Sequence, residues 1–440
     1  MATQDPEPIF PDELRDAWPA LSRDERVESF KLVPHATADD FFLSLSTQEQ
    51  ADLITALASG ERRTWLRLLA PDDAVDVIQS TPGEMRDALL QELDDTTRRE
   101  VLALMAYAED DAGGLMNPRF ARVRPEMTSD EAISYLRRQT REKVETVYYT
   151  YVLDPQQHLL GVASLRQLFE APPSKRVEEV MIRDVVTVSE EEDQEAVGRL
   201  FTEHGLMAIP VVDANKRMKG IVTVDDIVQV VQEEATEDIQ KVGGMEALDA
   251  PYLEVGFLAM LKKRAGWLLV LFLGEMLTAT AMSYFEAEIN RAVVLALFVP
   301  LIISSGGNSG SQATTLIIRS LALSEVKLRD WWRVARREVL AGLSLGAILG
   351  TVGILRIMLW QALFHSYGEH AFLIALTVGI SLLGVVMWGT LSGSMLPFVL
   401  RRLGFDPASA SAPFVATLVD VSGLVIYFTA ASLLLHGTLL

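Results

Sequence analysis

The pattern of hydrophobic and polar positions changes abruptly near residue 255. Before this point, apolar residues are interspersed with polar ones at the spacings of helices and strands. Beyond it lie five apolar blocks, each reaching the roughly 20 residues that a helix needs to span a bilayer. The blocks are residues 265–285, 291–318, 338–363, 371–400 and 411–435. The pattern therefore predicts a multidomain, largely α-helical membrane protein in which a water-soluble part precedes five transmembrane helices.

Residues 1–112 contain an internal repeat of 24 residues. A leucine recurs at the same place in each repeat, and polar residues or a proline that favour a helix start follow it. The repeated leucines are Leu21, Leu45, Leu69 and Leu93. A short fixed period with helical spacing predicts a small α-solenoid of stacked helices, an architecture typical of scaffolds.

Residues 113–232 contain a second, longer duplication. The segments that recur are Leu115-Met116 with Val180-Met181, Val152-Leu153-Asp154 with Val211-Val212-Asp213, and Gly161-Val162-Ala163-Ser164 with Gly220-Ile221-Val222-Thr223. Each copy has the pattern strand, helix, strand, turn, strand, helix. This arrangement resembles a tandem pair of CBS (α/β) domains, regulatory modules that often bind adenine nucleotides.

The resemblance to CBS domains implies a candidate nucleotide site in the second copy. Its phosphate-side pattern is Gly220-x-x-Thr223-x-x-Asp226, whereas the first copy has Gln167 at the position of the aspartate. Two interpretations stay open. Either ATP or another adenine nucleotide binds here, or these are structural turn residues of a sensor that binds no nucleotide.

Residues 233–262 connect the CBS pair to the first apolar block. The segment begins with acidic residues and is interrupted by the pair Gly243-Gly244. Because glycine weakens a helix interior, we expect a connector helix that continues from the second CBS copy and ends at the glycines. Residues 263–440 then form the transmembrane domain.

Charge is distributed unevenly between the two parts. Residues 256–440 carry 13 Lys+Arg and 9 Asp+Glu, which leaves 26 of the 39 basic and 51 of the 60 acidic residues in residues 1–255. Such an acidic surface attracts cations and repels nucleic acid and anionic headgroups, so nucleic acid is not expected as a partner. The absence of cysteine excludes disulfides, thiolate metal sites and cysteine nucleophiles.

Positive charge in the membrane part lies before the first apolar block, after the second and after the fourth. The clustered residues are Lys262, Lys263, Arg264, Arg319, Lys327, Arg329, Arg333, Arg336, Arg337, Arg401 and Arg402. Because positively charged loops stay in the cytoplasm, we expect a cytoplasmic N-terminus and an external C-terminus. The first 20 residues lack the apolar core of a signal peptide, which agrees with a multi-pass protein of the cell (plasma or inner) membrane.

Asp420 stands alone within the apolar stretch 411–428. An ionised carboxylate at such a depth costs roughly 2.5–3.5 kcal/mol on insertion scales unless a cation, a proton or a buried partner compensates it. This residue makes transport the leading hypothesis. The alternative is a structural ion pair, for which Arg356 is the deep basic residue available. We assign no transport role to Glu275 of the first block, which we expect at a dimer interface or directed towards the membrane surface.

Three stretches together resemble the MgtE family of magnesium transport proteins. They are Ala235-Thr-Glu-Asp-Ile239, Gly306-Gly-Asn-Ser-Gly-Ser-Gln312 and Pro413-Phe-Val-Ala-Thr-Leu-Val-Asp-Val-Ser-Gly423. The order of helical domain, CBS pair, connector and five spans matches that family over essentially the whole chain. The resemblance implies a homodimer in the bilayer, with one pore along the dimer axis lined by the second and fifth spans.

The resemblance also implies the residues of the ion path. They are Asp420, Ala416, Thr417, Pro413, Gly423, Gly307, Asn308 and Gln312. Mg²⁺ sheds its water reluctantly, so two Asp420 carboxylates are expected around a hydrated ion whose waters donate to the Ala416 carbonyl and the Thr417 hydroxyl. For the segment 306–312, helix packing through small residues is an equal alternative.

Regulation by cytosolic Mg²⁺ is a further implication of the resemblance. The ion is expected to bridge acidic residues near the junction of the CBS pair and the connector, and to close the pore when internal Mg²⁺ is high. The candidate ligands are Asp225, Asp226, Glu234, Glu237 and Asp238.

Three functions stay open at this point. The leading one is a gated Mg²⁺ channel; the others are an ion-coupled Mg²⁺ exchanger and a membrane-anchored CBS nucleotide sensor or scaffold. Neither a Walker loop nor an aspartyl-phosphate signature appears, which disfavours a primary pump. An enzyme is not expected, because no second carboxylate or histidine lies near Asp420 in sequence to share catalytic work.

Overall fold

The computed structural model describes residues 10–140, 144–248, 252–253 and 255–439. The predicted helical domain, CBS pair and connector each include a few residues outside this part. The chain forms two compact units, Met1–Glu233 and Glu234–Leu440. The predicted fold class is confirmed: a helical N-terminal domain, a CBS pair, a connector helix and five long apolar helices follow one another.

The N-terminal domain consists of short stacked helices. They are Pro11–Ala17 (α1), Arg23–Phe30 (α2), His35–Leu43 (α3), Thr47–Ala56 (α4), Ser59–Leu66 (α5), Pro71–Gln79 (α6), Gly83–Glu92 (α7) and Asp95–Leu104 (α8). Every second helix (α2, α4, α6 and α8) begins two residues after one of the repeated leucines. Ser46 and Asp94 cap their helices by accepting from backbone N–H groups. The 24-residue period is thus the repeat of a helix pair.

The CBS pair follows. Its elements are Ala112–Leu115 (α9), Arg122–Val123 (β1), Ser129–Gln139 (α10), Tyr149–Leu153 (β2), Leu159–Ser164 (β3), Leu165–Glu170 (α11), Val177–Val180 (α12), Val188–Ser189 (β4), Gln194–His204 (α13), Ala208–Val212 (β5), Met218–Thr223 (β6) and Val224–Val242 (α14). The strands form two sheets with the orders β1-β2-β3 and β4-β5-β6.

The two sheets have equivalent pairing. In each, the first two strands are parallel and the last two antiparallel. Val152 pairs with Gly161 in one sheet and Val211 with Gly220 in the other, and in both the register shifts directly after the valine. The duplication read from the sequence is therefore a duplication of structure down to single residues.

The second unit contains the membrane helices. They are Phe257–Tyr284 (α15), Glu286–Arg291 (α16), Val293–Ala296 (α17), Val299–Ala322 (α18), Trp331–Phe364 (α19), Ala371–Arg402 (α20) and Ala412–Leu435 (α21). In the described part of the chain, five segments are long and apolar enough to cross a membrane: 257–284, 293–322, 328–364, 371–402 and 412–435. The first and third extend further towards their N-termini than the apolar blocks, because long basic side chains at a helix end can reach the membrane surface.

Glycines bring α18 and α20 into close contact. A Cβ at Gly389 of α20 would lie 2.3 Å from the carbonyl oxygen of Gly306, and one at Gly393 would lie 2.2 Å from that of Gly310. In contrast, none of α15 is buried within the protomer. Thus α18, α20 and α21 form a packed centre, while α15 lies at its edge against α21.

Candidate ion path and cytosolic acidic cluster

Helix α21 carries Asp420 at a point where α18 approaches closely. Gly307 of α18 makes this approach possible: a Cβ added there would lie 3.5 Å from the Ala416 Cβ and 3.7 Å from Asp420 Oδ1. Asp420 is partly exposed. Its carboxylate therefore borders a space outside the packed centre of the protomer, next to the backbone of α18.

The two interpretations of the segment 306–312 apply to different faces of α18. Gly306 and Gly310 are buried against α20, which is helix packing. Asn308 and Gln312 are exposed on the opposite side, and Asn308 Nδ2 donates to Ser304 Oγ at 3.4 Å. Because polar side chains are costly against lipid, this exposed face fits a water-filled path.

The remaining candidate residues of α21 contact three other elements. A Cβ added at Gly274 of α15 would lie 2.9 Å from Thr417 Cγ2. A Cβ added at Gly423 would lie 3.0 Å from Val385 Cγ1 of α20. Pro413 Cγ would be 3.1 Å from a Cβ at Gly244. Pro413, Thr417 and Gly423 thus mark where the connector, α15 and α20 meet α21.

Glu275 is the charged residue that lies next to Asp420. The two carboxyl groups interact electrostatically and lie within hydrogen-bonding reach of each other. No transport role was predicted for Glu275, because it and Asp420 are 145 residues apart along the chain and no sequence spacing connects them. The available signal was that Glu275 is also an ionisable residue within an apolar block.

Arg356 does not serve as the partner of Asp420. Its guanidinium lies over the ring of Trp360, 3.4 Å from the centroid. Among the ion pairs of the described residues, none includes Asp420. The structural ion pair considered from the sequence is therefore absent from the described part of the chain.

The end of the connector is held against the start of α21. Gly244 adopts a φ of +77°, and a Cβ there would lie 2.9 Å from Trp267 Cδ1. Trp267 in turn donates from Nε1 to Ser411 Oγ at 3.1 Å, and Ser411 is the residue that caps α21. The helix ends at the predicted glycines, and its position is coupled to the helix that carries Asp420.

Lys241 joins the connector to the loop before α21. It forms ion pairs with Glu237 and with Asp406, the latter at 2.6 Å. Burial lowers the pKa of Lys241, but the hydrogen bonds to Asp406 and Glu237 outweigh it and the pKa is raised. Glu237, a candidate metal ligand, therefore already has a cationic partner. Glu234 and Asp238 lie on the same stretch of α14.

The first unit contains a cluster of carboxylates between the N-terminal domain and the CBS pair. We call it the acidic cluster, and its members are Asp72, Asp73, Asp76, Glu145, Asp225 and Asp226. Of these six acids, only Asp225 and Asp226 were predicted from the sequence. The others come from α6 and from the segment before β2, and no sequence spacing connects them to α14.

Burial and mutual repulsion raise the pKa of five of these acids, namely Asp72, Asp73, Asp76, Glu145 and Asp226. For Asp72, burial is the main cause and Asp226 the next, and its pKa lies well above the usual range. Burial, aided by neighbouring carboxylates, raises the pKa of Asp76 and of Glu145 to about 7. The pKa of Asp226 is raised to about 6, again chiefly by burial. Asp76 and Glu145 retain exposed surface, so water reaches both residues.

Asn117 holds the acidic cluster together. Its Nδ2 donates to Asp72 Oδ1 at 3.0 Å and to Glu145 Oε2 at 2.7 Å. Its backbone pairs with Ile221 of β6, with N···O distances of 2.7 and 3.0 Å. This fully buried residue thus ties the N-terminal domain to both CBS copies. The sequence duplication included Leu115-Met116, directly before Asn117, but did not indicate that Asn117 contacts the acids.

The chemistry of the acidic cluster suits a divalent cation held through water. In the described residues, no three Asp, Glu or His side chains converge closely enough to bind an ion directly. Hydrated Mg²⁺ needs no such convergence, because its water molecules can donate to several carboxylates. A cation there would offset the repulsion that raises the pKa values.

The candidate nucleotide residues make local contacts. Thr223 Oγ1 donates to Asp226 Oδ2 at 2.6 Å, so the pair closes the first turn of α14. In the first copy, Gln167 accepts a hydrogen bond from the Ser164 N–H at 2.8 Å and thereby closes the first turn of α11. A Cβ at Gly220 would lie 2.8 Å from the Asn117 carbonyl oxygen. These contacts account for the pattern structurally; nucleotide binding stays a prediction.

Comparison with known proteins agrees with this architecture. A family model described as MgtE intracellular N domain matches residues 9–110, a CBS domain model matches 177–233, and one described as divalent cation transporter matches 299–430. The magnesium transporter MgtE of Thermus thermophilus is 42% identical over 434 residues, which cover 98% of this chain and 94% of that protein. The chain belongs to the MgtE family.

Other members of the MgtE family are similar over most of the chain. The magnesium transporter MgtE of Bacillus subtilis is 32% identical and covers 83% of this chain and 79% of its own length. The magnesium transporter MgtE of Enterococcus faecalis is 33% identical, and the match covers 77% of this chain and 72% of that protein. A solved structure of the cytosolic domain of the Mg²⁺ channel MgtE in complex with ATP is 41% identical, covers 50% of this chain and 90% of its own, and has a TM-score of 0.47. The resemblance drawn from the three sequence stretches is confirmed.

Proposed function

We propose that this MgtE family member carries Mg²⁺ across the cell membrane along a path lined by α18 and α21, with Asp420 as its central anionic residue. The single observation that carries the proposal is that Asp420 lies in a membrane-spanning helix, partly exposed, with no cationic partner among the described residues. The exposed polar side chains of Asn308 and Gln312 on the adjacent helix support it.

We propose that two protomers enclose this path. Within one protomer, α15 and the polar face of α18 are uncovered. An intramembrane carboxylate facing lipid costs several kcal/mol, so a second copy that covers this side accounts for the exposed acid. The positive residues beside the first, second and fourth spans support a cytoplasmic N-terminus.

The transported ion is expected to stay hydrated. Asp420 supplies negative charge, and the Ala416 carbonyl and Thr417 hydroxyl accept hydrogen bonds from its water. A membrane potential favours entry of a divalent cation by about 4.6 kcal/mol per 100 mV. This driving force is sufficient for a channel. Flux at fixed voltage without Na⁺ or proton gradients separates a channel from an ion-coupled exchanger, which would stop under these conditions.

We propose that cytosolic Mg²⁺ closes the path through the acidic cluster and the connector. Carboxylates that repel each other separate when no cation is present, and a cation that binds the closed state better shifts the population towards it. On the membrane side, Gly244, Trp267 and Ser411 provide the contact between connector and α21 through which closure acts. Asp225, Asp226, Glu234, Glu237 and Asp238 remain the proposed ligands together with the rest of the acidic cluster.

An adenine nucleotide at Gly220, Thr223 and Asp226 is a separate proposal, supported by the sequence pattern. Calorimetric titration of ATP into the purified protein, compared with Asp226→Asn, tests it. If the protein were a nucleotide sensor and not a transporter, binding would be tight and Asp420 would be dispensable.

The test of transport is Mg²⁺ uptake into proteoliposomes under an imposed voltage. The variant Asp420→Asn keeps the shape of the side chain and removes its charge. We expect a loss of at least about tenfold, equivalent to about 1.4 kcal/mol. The matched control is Glu286→Gln, which removes an exposed acid outside the five spans. Undiminished uptake by a folded Asp420→Asn protein contradicts the proposal.

A further inference from the structure

We propose that Glu275 of the first span is a second acidic residue of the ion path and holds the hydrated divalent cation together with Asp420. The inference rests on the proposed path through Asp420 and adds a helix to its lining: α15, which sequence analysis left outside. The function assigned to Glu275 is to raise the affinity of the site for a divalent ion.

The contact between α15 and α21 brings the two carboxyl groups together. Gly274 lies directly against Thr417, where a Cβ would come within 2.9 Å of Cγ2. Glu275 follows this glycine, and Asp420 lies one helical turn beyond Thr417. The two carboxyl groups consequently come within hydrogen-bonding reach. A larger residue at position 274 would push α15 away and separate the acids.

The pair has no basic partner in the described part of the chain. Among the described residues, Glu275 is the charged group that interacts with Asp420, and none of the ion pairs of these residues includes Glu275. On α15, the closest basic residue along the helix, Arg264, is 11 residues away, about 16 Å along the axis. Arg319 of α18, and Arg401 and Arg402 of α20, lie in the last turns of their helices.

Two neighbouring carboxylates repel each other, and a proton or a cation between them removes this repulsion. A divalent ion offsets both negative charges at once, whereas a monovalent ion offsets one. Water on the ion can donate to both carboxylates without direct ligation. The second acid therefore favours divalent over monovalent ions and strengthens their binding.

Glu275 is exposed on the surface of the protomer, on the same side as the uncovered face of α15. Exposure to lipid would make it one of the costliest residues of the span. A place beside the ion path, where water and a cation reach it, removes this cost. Its neighbour Met276 and the following Leu277 are also exposed but apolar, and so suit lipid or a second copy.

The test compares Mg²⁺ uptake as a function of Mg²⁺ concentration in wild type, Glu275→Gln and Glu275→Asp, all full-length in proteoliposomes. Glutamine keeps the shape and the ability to hydrogen-bond Asp420, while aspartate keeps the charge. We expect Glu275→Gln to raise the half-saturating Mg²⁺ concentration about threefold to tenfold, the size of effect for one of two charges near an ion. Glu275→Asp should restore at least half of the difference.

Block by cobalt(III) hexammine, a substitution-inert mimic of hydrated Mg²⁺, is the second measurement. We expect Glu275→Gln to weaken the block by the same factor as it weakens Mg²⁺ affinity. The matched control Glu286→Gln should change neither quantity. Thermal unfolding in detergent, expected to be unchanged, separates this result from a loss of helix packing.

The outcomes for the two proposals are distinct. If Asp420→Asn abolishes uptake but Glu275→Gln keeps the wild-type half-saturation and block, the role of Glu275 is refuted while the path through Asp420 stands. A lower maximal uptake at unchanged half-saturation, not rescued by Glu275→Asp, likewise overturns it in favour of a packing role. If Asp420→Asn retains full uptake, the proposed path itself is wrong. Should Glu275→Gln fail to fold, a raised half-saturation in Glu275→Ala supports the inference and an unchanged one refutes it.

Discussion

The acids in the membrane helices and those of the acidic cluster both place negative charges close together, but in different surroundings and in different numbers. Asp420 and Glu275 are two residues on long helices, and apolar surroundings make each charge count heavily. The acidic cluster has six carboxylates on separate elements, with water reaching several of them. Since water screens charge, many acids are needed there to bind an ion, whereas few suffice inside a membrane.

The two groups of acids also differ in how their positions are held. Asp420 lies on a helix packed against α18 and α20, and Glu275 lies where Gly274 lets α15 approach Thr417, so both acids are placed by contacts between long helices. The acidic cluster lies between an α-solenoid and a CBS pair, and its internal repulsion opposes their contact. The first arrangement suits an ion path, and the second suits a sensor whose parts move apart when the ion leaves.

The largest expected effect is a loss of uptake when the membrane acid is neutralised, which neutralising an acid of the acidic cluster should not cause. Asp420→Asn should reduce Mg²⁺ uptake at low internal Mg²⁺ at least about tenfold, because the path loses its central charge. Asp226→Asn should leave that uptake within about twofold but relieve inhibition by high internal Mg²⁺. Uptake measured at both internal concentrations checks this. Equal loss in both variants would remove the distinction between path and sensor.

The rigidity of the membrane region can be tested with Gly389→Ala. The added methyl would meet the Gly306 carbonyl oxygen at 2.3 Å, so α18 and α20 must separate, at a cost of about 1–3 kcal/mol. A lower temperature of unfolding in detergent and reduced uptake are expected. The matched control is Gly384→Ala on the same helix, where the nearest atom, Ile426 Cγ2, is 3.4 Å away. Similar effects of both substitutions would show that close packing is not the cause.

The acidic cluster predicts a dependence of stability on pH. The pKa of Asp226 is raised to about 6 and those of Asp76 and Glu145 to about 7. Groups with a raised pKa favour the folded state while protonated, so this stability is fully present below about pH 4, falls as pH rises, and is lost once pH passes about 6 to 7. Asp226 contributes up to about 3 kcal/mol, and the exposed Asp76 and Glu145 contribute less.

Thermal unfolding with a chelator, compared between pH 5 and pH 8, measures this loss. Mg²⁺ should restore stability at pH 8 and have little effect at pH 5, where protons already neutralise the acids. Asp226→Asn should reduce the difference between the two pH values. A protein more stable at pH 8 than at pH 5 without divalent ions would contradict the electrostatic account of the cluster.

The smallest expected effect concerns the contact between the connector and the membrane helices. Lys241→Gln removes the ion pairs with Glu237 and Asp406, which at partial exposure are worth about 0.5–1 kcal/mol. We expect the internal Mg²⁺ concentration for half inhibition to change by about twofold to fivefold, with uptake at low Mg²⁺ preserved. The control is Arg166→Gln, which breaks the highly exposed pair with Glu170. An equal shift in the control would argue against transmission through Lys241.

Much of the fold could be predicted because it repeats or because it is apolar. The period of Leu21, Leu45, Leu69 and Leu93 corresponds to the starts of successive helix pairs. The five apolar blocks correspond to the five long helices, although the helices of the first and third extend beyond them. Periodicity and apolar length are local properties, and local properties are visible in a single sequence.

The composition of the two sites could be predicted only in part. Asp420 was identified because an acid in an apolar helix is exceptional wherever the helix lies. Asn117, Asp72 and Glu145 were not, because an acid or an amide in a soluble domain is ordinary until its neighbours are known. Glu275 is an intermediate case. The free-energy cost of an acid in an apolar span was apparent from the sequence, but its neighbour Asp420 was not.

The amino-acid sequence by itself determined the order of the parts, the number of apolar helices and the presence of a single acid in the last of them. These follow from hydrophobic length, repeat period and the cost of charge in a bilayer. Only the tertiary structure decided that Gly274 lets α15 approach Thr417, and that Asn117 gathers carboxylates from both parts of the soluble unit. Electrostatic energy depends on distances in space, and residues far apart in the chain acquire those distances only when the helices pack.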